Sequence, residues 1–399
     1  MKKLLLLLLC CLTTIPAYSQ HEADNWYFGE HAGITFKNGA PVAVSDGQTN
    51  AYYGTGAISD KTTGDLLFYT DGGYIWNNKH QVMKNGVLSG IHLPSTWVLI
   101  IPNPVNMLQY YLFVMRPIGQ NGERFNYNWN LEYSLISMET PDGEVLTKNI
   151  YLIGGLGSRL TGTVDCSGTG YWVVAQCDTV NCFYSFHVTP SGVNPKPIIS
   201  SYQGNKSDNT FGEMKISPNR SKLASVHRST TYNEITGMFG WDMCVSLFDF
   251  NTVSGKVSNP FTVLRQPDSL IQLWCVAFSP DNTKLYTPVI DNKESRDTNV
   301  EVNYLYQYEI NLGDTTAIRN SLSKTGHSYS NARIFGTQLG PDGKIYLADD
   351  FRNYLHVIES PNSKGSSSGY KENAIPLTGR CNNGFLSFID YNLVSNRSE

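Results

Sequence analysis

The sequence predicts an all-β fold made of short antiparallel strands that repeat along the chain. Aromatic residues are frequent, with 24 Tyr, 17 Phe and 7 Trp, and 35 glycines accompany them among 399 residues. Aromatic side chains favour strands, and glycines favour the tight turns between strands. We find no amphipathic stretch of helical length, and a hairpin motif recurs at nearly constant spacing. Charged residues make up only 16% of the chain, which excludes a disordered or coiled-coil protein.

Three copies of the hairpin motif are clear. In each copy a strand enters a turn that begins with Pro followed by Asp or Asn, and a second strand leaves it. Proline fixes the backbone of the first turn position, and Asp, Asn or Gly tolerates the second. The copies occupy residues 214–224, 276–286 and 337–347. Their prolines, Pro218, Pro280 and Pro341, are 62 and 61 residues apart, a period typical of repeated structural units.

Three weaker copies precede these. They pair segments 58–60 with 64–69, 98–103 with 109–114, and 162–165 with 170–174. Each copy is followed by a second alternating hairpin, such as those that include 245–250 and 304–310. Four strands per copy describe a blade of a β-propeller, whose sheets surround a central channel. The sequence therefore predicts a single β-propeller of four-stranded blades.

The two ends of the chain predict how the propeller closes. N-terminal strands at 25–28 and 33–36 lack a partner hairpin, as does a C-terminal strand at 385–391. Pairing these termini would remove open sheet edges that invite aggregation. We therefore expect seven blades, with six as the alternative, in a propeller domain over 20–392 followed by a tail at 393–399. An array of β-sandwiches is the rival fold, but it does not predict a Pro-Asx hairpin at a constant period.

The N-terminal 19 residues have the pattern of a secretory signal peptide. Lys2 and Lys3 precede an apolar run at 4–12, and Ala17-Tyr18-Ser19 forms a small-x-small cleavage site. The apolar run is too short to span a membrane, which takes about 20 residues. Lipidation at Cys10 or Cys11 is the less favoured alternative, because bulky Leu9 does not suit a lipoprotein cleavage site. We expect an exported protein, periplasmic or extracellular, without a transmembrane segment.

The charge of the mature chain restricts its partners. Without the two signal lysines, 28 basic residues stand against 34 acidic ones, a net charge of −6. This acidic balance and the absence of a basic run exclude ordinary nucleic-acid binding. We expect a monomer with a protein or glycan partner.

Six cysteines remain after cleavage, and two of them predict a disulfide. Cys177 and Cys182 flank a turn between two strands, where facing residues lie within bridging distance. The alternative is that both are small buried hydrophobic residues. The chain has no CxxC pair, and its 8 histidines lack the spacing of metal ligands. The sequence predicts no metal and no cofactor.

Several segments resemble the exported, WD40-like β-propeller regions of Bacteroidetes surface proteins. They are residues 25–29, 58–60, 66–72, 75–77, 339–346, 357–362 and 384–389. In that family the propeller usually precedes a gliding-motility-type (type IX secretion) C-terminal sorting domain. The sequence given ends at Glu399, so we expect attachment by that route to be absent. Ser366-Ser367-Ser368-Gly369 stands where the family often has a cysteine, which leaves Cys381 with another partner or none.

Candidate catalytic residues are few. Residues 71–76 match the D-x-G-x-x-W core of the Asp-box of sialidases, although a simple Asx turn explains them better. Sialidase chemistry needs three arginines, for which Arg116, Arg159, Arg228 and Arg333 are available. Glycosidases otherwise need a carboxylate pair. Asp349 and Asp350 are adjacent acids at a strand exit and project to opposite faces if the strand continues. His227 and His327 are better explained as satisfied polar residues than as bases.

Aromatic residues give the remaining indication of function. The candidate binding residues lie beside turns or in the long segments 116–130 and 228–241, and they are Trp76, Trp97, Tyr127, Trp129, Phe239 and Trp241. Exposed aromatic side chains suit recognition of glycans or proteins. The competing interpretation is that they cap the blade core. We therefore expect a non-catalytic binding or scaffold module. The alternative is a propeller-type carbohydrate-active enzyme, sialidase-like or another glycosidase or lyase, which would require clustered acids or arginines at the channel mouth.

Overall fold

A computed structural model describes most of the chain. The described residues are 21–89, 97–117, 129–177, 180–203, 207–208, 212–233, 238–266, 271–291, 302–329, 333–382 and 385–390. Strands dominate this part of the chain. Its helical elements are α1 (Thr315–Asn320) and a 3₁₀ turn (Gly365–Ser368). Neither could cross a membrane, and the described residues contain no helix that could.

The N-terminal sheet consists of three antiparallel strands. These are β1 (Asn25–Phe28), β2 (Ala32–Thr35) and β3 (Val42–Val44). The first two confirm the predicted N-terminal strands. The third was not predicted, because its short Val-Ala-Val run lies among turn residues.

The next three meanders belong to one 12-stranded sheet, and the first two of them each have four strands, in which chain neighbours pair antiparallel. The first meander is β4 (Gly56–Ser59), β5 (Leu66–Thr70), β6 (Tyr74–Asn77) and β7 (Val82–Val87). The second contains β8 (Trp97–Pro102), β9 (Gln109–Pro117), β10 (Trp129–Ser137) and the first part of β11 (Glu144–Val164). The inner strand β8 is almost wholly buried, whereas the outer strand β7 exposes several side chains. A continuous apolar run is expected where both faces of a strand are covered.

Strand β11 links the second meander to the third. Its first part pairs with β10 as far as Leu156, and its second part pairs with β12 from Leu156 to Val164. The third meander continues through β12 (Tyr171–Cys177), β13 (Cys182–Thr189), β14 (Gly192–Val193) and β15 (Ile198–Ser201). One strand therefore forms the outer edge of one meander and the inner edge of the next.

Three further meanders complete the described sheets. The fourth contains β16 (Ser207–Asp208), β17 (Met214–Ile216), β18 (Lys222–Asn233), β19 (Met238–Phe250) and β20 (Val257–Gln266). The fifth contains β21 (Ile271–Leu273), β22 (Ala277–Phe278), β23 (Lys284–Asp291), β24 (Val302–Glu309) and β25 (Ser323–Tyr329). The sixth contains β26 (Ile334–Leu339), β27 (Ile345–Asp349), β28 (Tyr354–Ile358) and β29 (Tyr370–Pro376). All six predicted hairpins open a meander at the predicted place.

The Pro-Asx turns have the local chemistry that the sequence predicts. In the fourth meander the Ser217 hydroxyl donates to Asn219 Oδ1 at 2.7 Å and accepts from the backbone N–H of Lys222 at 3.0 Å. Ser279 repeats both bonds in the fifth meander. The residue after the Asx has a positive φ in all three turns, at Arg220, Asn282 and Gly343. The motif is therefore one turn geometry used three times.

The sheets contact each other in chain order and return to the start. The N-terminal sheet packs against the first meander through β1 and β4, and against the sixth through β3 and β29. Trp26 is fully buried at this junction, with its ring 5.4 Å from that of Tyr346 and 5.3 Å from that of Phe385. A closed ring of antiparallel meanders is the topology of a β-propeller.

The C-terminal strand prediction is only partly correct. Residues 385–390 form one isolated parallel bridge, between Leu386 and Thr55, and no regular ladder with β1. Side chains hold this segment instead, because Phe385, Phe388 and Ile389 are all buried without the alternation of a strand. Residue 391 lies outside the described residues. A second contact closes the ring, since the backbones of Glu30 and Arg380 form a mutual antiparallel bridge.

Candidate binding site

Antiparallel meanders place particular connections at each end of the ring. Successive strands alternate in direction, so the Pro-Asx turns lie at one end, which we call the lower end. The turns between second and third strands, and the links between successive meanders, lie at the other, the upper end. Residues 71–73 and 350–353 belong to the upper end. In propeller folds the loops at one end of the ring commonly form binding surfaces.

The structure places the predicted aromatic residues in different environments. The side chains of Trp76, Trp97 and Trp129 are buried, with 5%, 8% and 2% of their surface exposed. This burial agrees with the competing interpretation, in which they pack in the core. Tyr127 lies outside the described residues. A binding role for these residues stays a prediction.

Segment 228–241 is mostly an extended hairpin, where the sequence suggested a long loop. Strands β18 and β19 stay paired as far as Asn233 and Met238, so Phe239 and Trp241 lie in β19. The run Thr230-Thr231-Tyr232 explains this difference, because β-branched and aromatic residues favour strands. Only the backbone of Phe239 and Trp241 is described.

An exposed aromatic cluster that the sequence did not reveal lies at the upper end. It consists of Tyr52, Tyr53 and Phe351, and we call it the aromatic platform. The Tyr52 ring lies 5.3 Å from that of Tyr53 and 5.7 Å from that of Phe351, in edge-on geometry. Tyr52 is 37% exposed and Phe351 is 49% exposed. Two adjacent tyrosines beside Gly54, outside any alternating run, were the available signal in the sequence.

Backbone hydrogen bonds hold the Phe351 side of the platform. The N–H of Asp350 donates to the Arg333 carbonyl at 2.9 Å, and the N–H of Cys381 donates to the Arg352 carbonyl at 2.6 Å. Phe351 itself has a φ of 55°, which is unusual for a bulky side chain. Such strained conformations persist only where their surroundings fix them, and they cluster at functional sites.

The Tyr52 side of the platform is tied to the same C-terminal segment. The Asn382 amide donates to the Ala51 carbonyl at 2.8 Å. The N–H of Ala51 donates to the carbonyl of Gly29 at 3.0 Å. The platform therefore depends on the junction of the N-terminal sheet, the first meander and the sixth meander.

A buried Asp-His pair lies in the sixth meander, next in the chain to Asp350. Asp349 and His356 are fully buried, with His356 Nε2 3.0 Å from Asp349 Oδ1. The N–H of Asn373 donates to His356 Nδ1 at 3.1 Å. Asp349 is closed to solvent, and its Oδ2 accepts from the hydroxyl of Tyr354 at 3.5 Å. The strand ends at Asp349, so the alternation expected of a continuing strand does not apply to Asp350, and the two acids differ in burial.

Asp350 is the acid that faces the upper end. It is partly buried, and this burial raises its pKa to about 6. The positive charges of Arg333 and Arg352 oppose the rise, and the charge of Asp349 adds to it. Near neutral pH this carboxyl can accept or donate a hydrogen bond. A titratable acid with two arginines beside exposed rings can orient a polar ligand.

The other candidate catalytic residues have partners that explain them. Asp71 Oδ1 accepts from the N–H groups of Gly73 and Tyr74, both at 2.9 Å, which is the simple Asx turn. Arg116 donates to Glu132 at 2.9 Å. Arg159 is fully buried and donates to Gln176 at 2.8 Å. The side chain of Arg228 is not among those described.

The described histidines and acids form no metal centre. His227 is buried, and burial together with the charge of Arg159 lowers its pKa to about 3, so it stays neutral. His327 is exposed. Across the described ranges, no group of three or more His, Cys, Asp or Glu residues could hold a metal ion.

The predicted disulfide is confirmed. Cys177 and Cys182 are bridged, with their Cα atoms 5.3 Å apart, and join β12 to β13 at the upper end. The remaining described cysteines are free thiols, one exposed (Cys166) and three buried (Cys244, Cys275 and Cys381). Burial raises the pKa of Cys244 to about 11, so this thiol is unreactive at neutral pH.

The known proteins that this chain is similar to share little sequence with it. No family model and no curated protein matches. The extracellular domain of a hybrid two-component system from B. thetaiotaomicron aligns over 92% of this chain, with 11% identity and a TM-score of 0.35. This chain spans only 35% of that protein.

Two other solved structures align at similar levels. A polysaccharide lyase named as an ulvan lyase aligns over 93% of this chain and 89% of its own, with 9% identity and a TM-score of 0.42. The β-propeller domain of the trilobed protease from Pyrococcus furiosus aligns over 65% and 68%, with 8% identity and a TM-score of 0.32. Values this low carry no inference about activity. The closed ring of antiparallel meanders, with a disulfide in its third member, is what identifies this chain as an all-β protein of propeller topology.

Proposed function

We propose that this protein is a secreted, non-catalytic β-propeller of seven blades that binds a glycan at or outside the bacterial cell envelope. The aromatic platform is the observation that carries the proposal. Three aromatic side chains share one site at the upper end, and two of them, Tyr52 and Phe351, are exposed although each would gain free energy from burial. A protein partner is the other ligand class that such a surface suits.

The chemistry of the site favours a glycan. Sugar rings offer apolar faces that stack on aromatic side chains, and their hydroxyls need polar groups at the edge. Asp350 and Arg352 lie next to Phe351 in the chain and supply an acceptor and a donor. The tie through residues 380–382 keeps both halves of the platform in place before a ligand binds, which lowers the entropic cost of binding.

Export and family membership belong to the same proposal. The disulfide supports folding in an oxidising compartment, in agreement with the signal peptide pattern at 1–19. We propose a propeller domain over 20–392 that works as a monomer, of the type found in Bacteroidetes surface proteins.

A glycan array screened with the mature protein tests the proposal. We expect retained glycans whose binding falls at least about tenfold in Tyr52→Ala and in Phe351→Asn, as for the loss of a stacking contact. Asn tolerates the left-handed backbone at position 351, so this variant should fold. Tyr151→Ala removes another exposed tyrosine, 60% exposed on β11, and is the matched control. Equal loss of binding in the control, or no retained glycan, would contradict the proposal.

One observation favours an enzyme as the second candidate. Asp350 has a pKa near 6 because of its burial, which suits a general acid at neutral pH. Product analysis of each retained glycan, with Asp350→Asn beside it, separates the two candidates. Retention without cleavage supports the binding module. Cleavage that stops in Asp350→Asn would make this protein a carbohydrate-active enzyme.

A further inference from the structure

A second candidate site lies far from the aromatic platform, between the fourth and fifth meanders. It is a groove of about 590 Å³, lined by Thr262, Val263, Leu264, Arg265, Tyr308, Arg319 and Leu322. This volume is within the range of ordinary ligand pockets, roughly 300 to 1,000 Å³. The groove runs beside β20, the outer strand of the fourth meander, which pairs only with β19 among the described strands.

The walls of the groove are aliphatic. Val263 is an extra residue in β20, because Thr262 faces Ser246 while Leu264 faces Val245. A bulge of this kind redirects side chains at a sheet edge. Leu322 stands on the opposite side and remains 42% exposed. An aliphatic wall accepts a side chain such as leucine, whereas sugars prefer flat aromatic faces.

The rim of the groove is positively charged. Arg319 lies with its guanidinium 4.8 Å from the centre of the Phe261 ring, and its Nε donates to the Thr262 carbonyl at 2.9 Å. No carboxylate among the described residues pairs with Arg319. Arg265 is also exposed and is paired with the buried Asp242 through its Nε atom. The two arginines and one carboxylate leave the rim with a net positive charge.

The floor of the groove includes the side chain of Tyr308. Tyr308 is only 2% exposed. Burial raises the pKa of Tyr308, and the charge of Tyr306 raises it further. The hydroxyl therefore keeps its proton at neutral pH. It can donate a hydrogen bond to a ligand in the groove.

We propose that this groove binds a linear peptide in which an acidic side chain lies next to a bulky aliphatic one. The carboxylate accepts hydrogen bonds from Arg319, Arg265 and the Tyr308 hydroxyl, and the aliphatic side chain packs between Leu264 and Leu322. The Thr262 carbonyl already accepts a hydrogen bond from Arg319 Nε, so a peptide N–H cannot take that place. The peptide is therefore held by its side chains at this point and does not extend the sheet. This site is separate from the proposed glycan site and does not depend on it.

Fluorescence polarisation with synthetic peptides tests the proposal. The probe is an array of acetylated, C-terminally amidated octapeptides that pair Asp or Glu with Leu at each spacing. The same peptides with Lys in place of the acid serve as negative probes. We expect binding of the acidic peptides that weakens with added salt, and at least tenfold weaker binding of the lysine peptides. Amidation excludes the terminal carboxylate as the recognised group.

Three variants connect binding to the groove. Arg319→Gln and Leu322→Ser alter exposed positions, and each should weaken binding at least fivefold. Tyr308→Phe keeps the ring and should weaken it about threefold, without loss of folding. Lys196→Gln removes an exposed cation from the third meander and should change nothing. Glycan binding at the platform should be intact in all four.

Several outcomes would overturn the proposal. These are equal binding of the acidic and lysine peptides, unchanged binding in Arg319→Gln, and no binding by any peptide. A concentration-dependent dimer that Arg319→Gln dissociates in sedimentation would also overturn it, because a second copy would then be the occupant.

Discussion

Closure of the ring depends on single residues at the junction between the N- and C-terminal segments. Gly29 has a φ of 54°, and a Cβ atom placed on it would overlap the carbonyl of Arg380. That carbonyl accepts the N–H of Glu30 at 2.9 Å, one half of the bridge between the two chain ends. Glycine is therefore required here for two separate reasons, its backbone conformation and the close approach of a second backbone.

We expect Gly29→Ala to lower the free energy of unfolding by about 3 kcal/mol, since both strain and displacement of the bridge contribute. Gly39→Ala is the matched control, because Gly39 also has a positive φ, 83°, and no atom lies within 4 Å of an added Cβ. It should cost only about 1 kcal/mol, the backbone term alone. Urea unfolding measures both variants, and equal losses would contradict a special role for Gly29.

The raised pKa of Asp350 makes the free energy of unfolding depend on pH, and it predicts that Asp350→Asn stabilises the protein near neutral pH. Its folded pKa is about 6, against an ordinary value of 3.8, so the folded state binds the proton more tightly than the unfolded state. Stability from the protonated form is complete below pH 3.8 and is lost as pH rises through 6. Asp350→Asn should therefore stabilise the protein by about 1 to 2 kcal/mol at pH 7.5, after allowing for solvent screening of this half-buried carboxyl, and by much less at pH 4.

Urea unfolding at the two pH values measures the effect of Asp350→Asn. Asp142→Asn is a control at an exposed acid that pairs with Lys79 on the surface. A gain from Asp350→Asn that is the same at pH 4 and pH 7.5 would show that the pKa of Asp350 is not raised.

At the scale of elements, the hairpins vary in how much of their geometry is local. The Pro-Asx turns are specified by three or four consecutive residues, which is why the sequence predicts them. The β18–β19 hairpin extends into the segment expected to be a loop, because the residues Thr230-Thr231-Tyr232 favour strands. The β12–β13 hairpin carries a covalent link at its upper end, between Cys177 and Cys182.

Removing that link tests its contribution. The two cysteines are 5 residues apart, and closing so short a loop restricts the unfolded chain by about 2 kcal/mol. Cys177→Ser combined with Cys182→Ser should therefore lower the free energy of unfolding by about this amount. The wild-type protein should lose the same stability with a reductant, and the double variant should not respond. Cys166→Ser, at the exposed thiol, should leave stability unchanged; a larger loss there would point to a different bridge.

At the scale of the whole molecule, a buried polar cluster joins the inner strands across three meanders. Lys215 on β17 donates to Gln338 on β26 at 2.7 Å, and Gln338 donates to Asp390 in the C-terminal segment at 2.9 Å. Glu213 accepts from the N–H of Val276 at 3.0 Å and from the Thr337 hydroxyl at 2.9 Å. Burial raises the pKa of both Glu213 and Asp390, and Lys215 is the cation that faces them.

We expect Lys215→Met to destabilise the protein by about 3 to 5 kcal/mol at neutral pH, because it leaves buried carboxylates without their cation. The loss should shrink at acid pH, where the carboxylates become neutral. Lys222→Met removes an exposed lysine that pairs with Asp249 and should cost less than about 1 kcal/mol. Chemical unfolding of both variants at pH 5 and pH 7.5 measures this. A small loss for Lys215→Met at pH 7.5 would mean that the cluster does not tie the meanders together.

Sequence patterns alone predict most of the strands, the repeated turns and a candidate bridge between Cys177 and Cys182. Each of these depends on residues that are close in the chain, such as Pro280 and Asp281, or Cys177 and Cys182, so local conformational preference is sufficient. The tertiary structure alone decided which side chains meet across the ring. Tyr52 and Phe351 come from opposite ends of the chain, and Lys215, Gln338 and Asp390 come from three distant segments. Their contacts arise only when the ring closes, because no local pattern records which strands become neighbours. For the same reason the sequence does not reveal that Trp76, Trp97 and Trp129 are buried, or that exposed rings lie where the two ends of the chain meet.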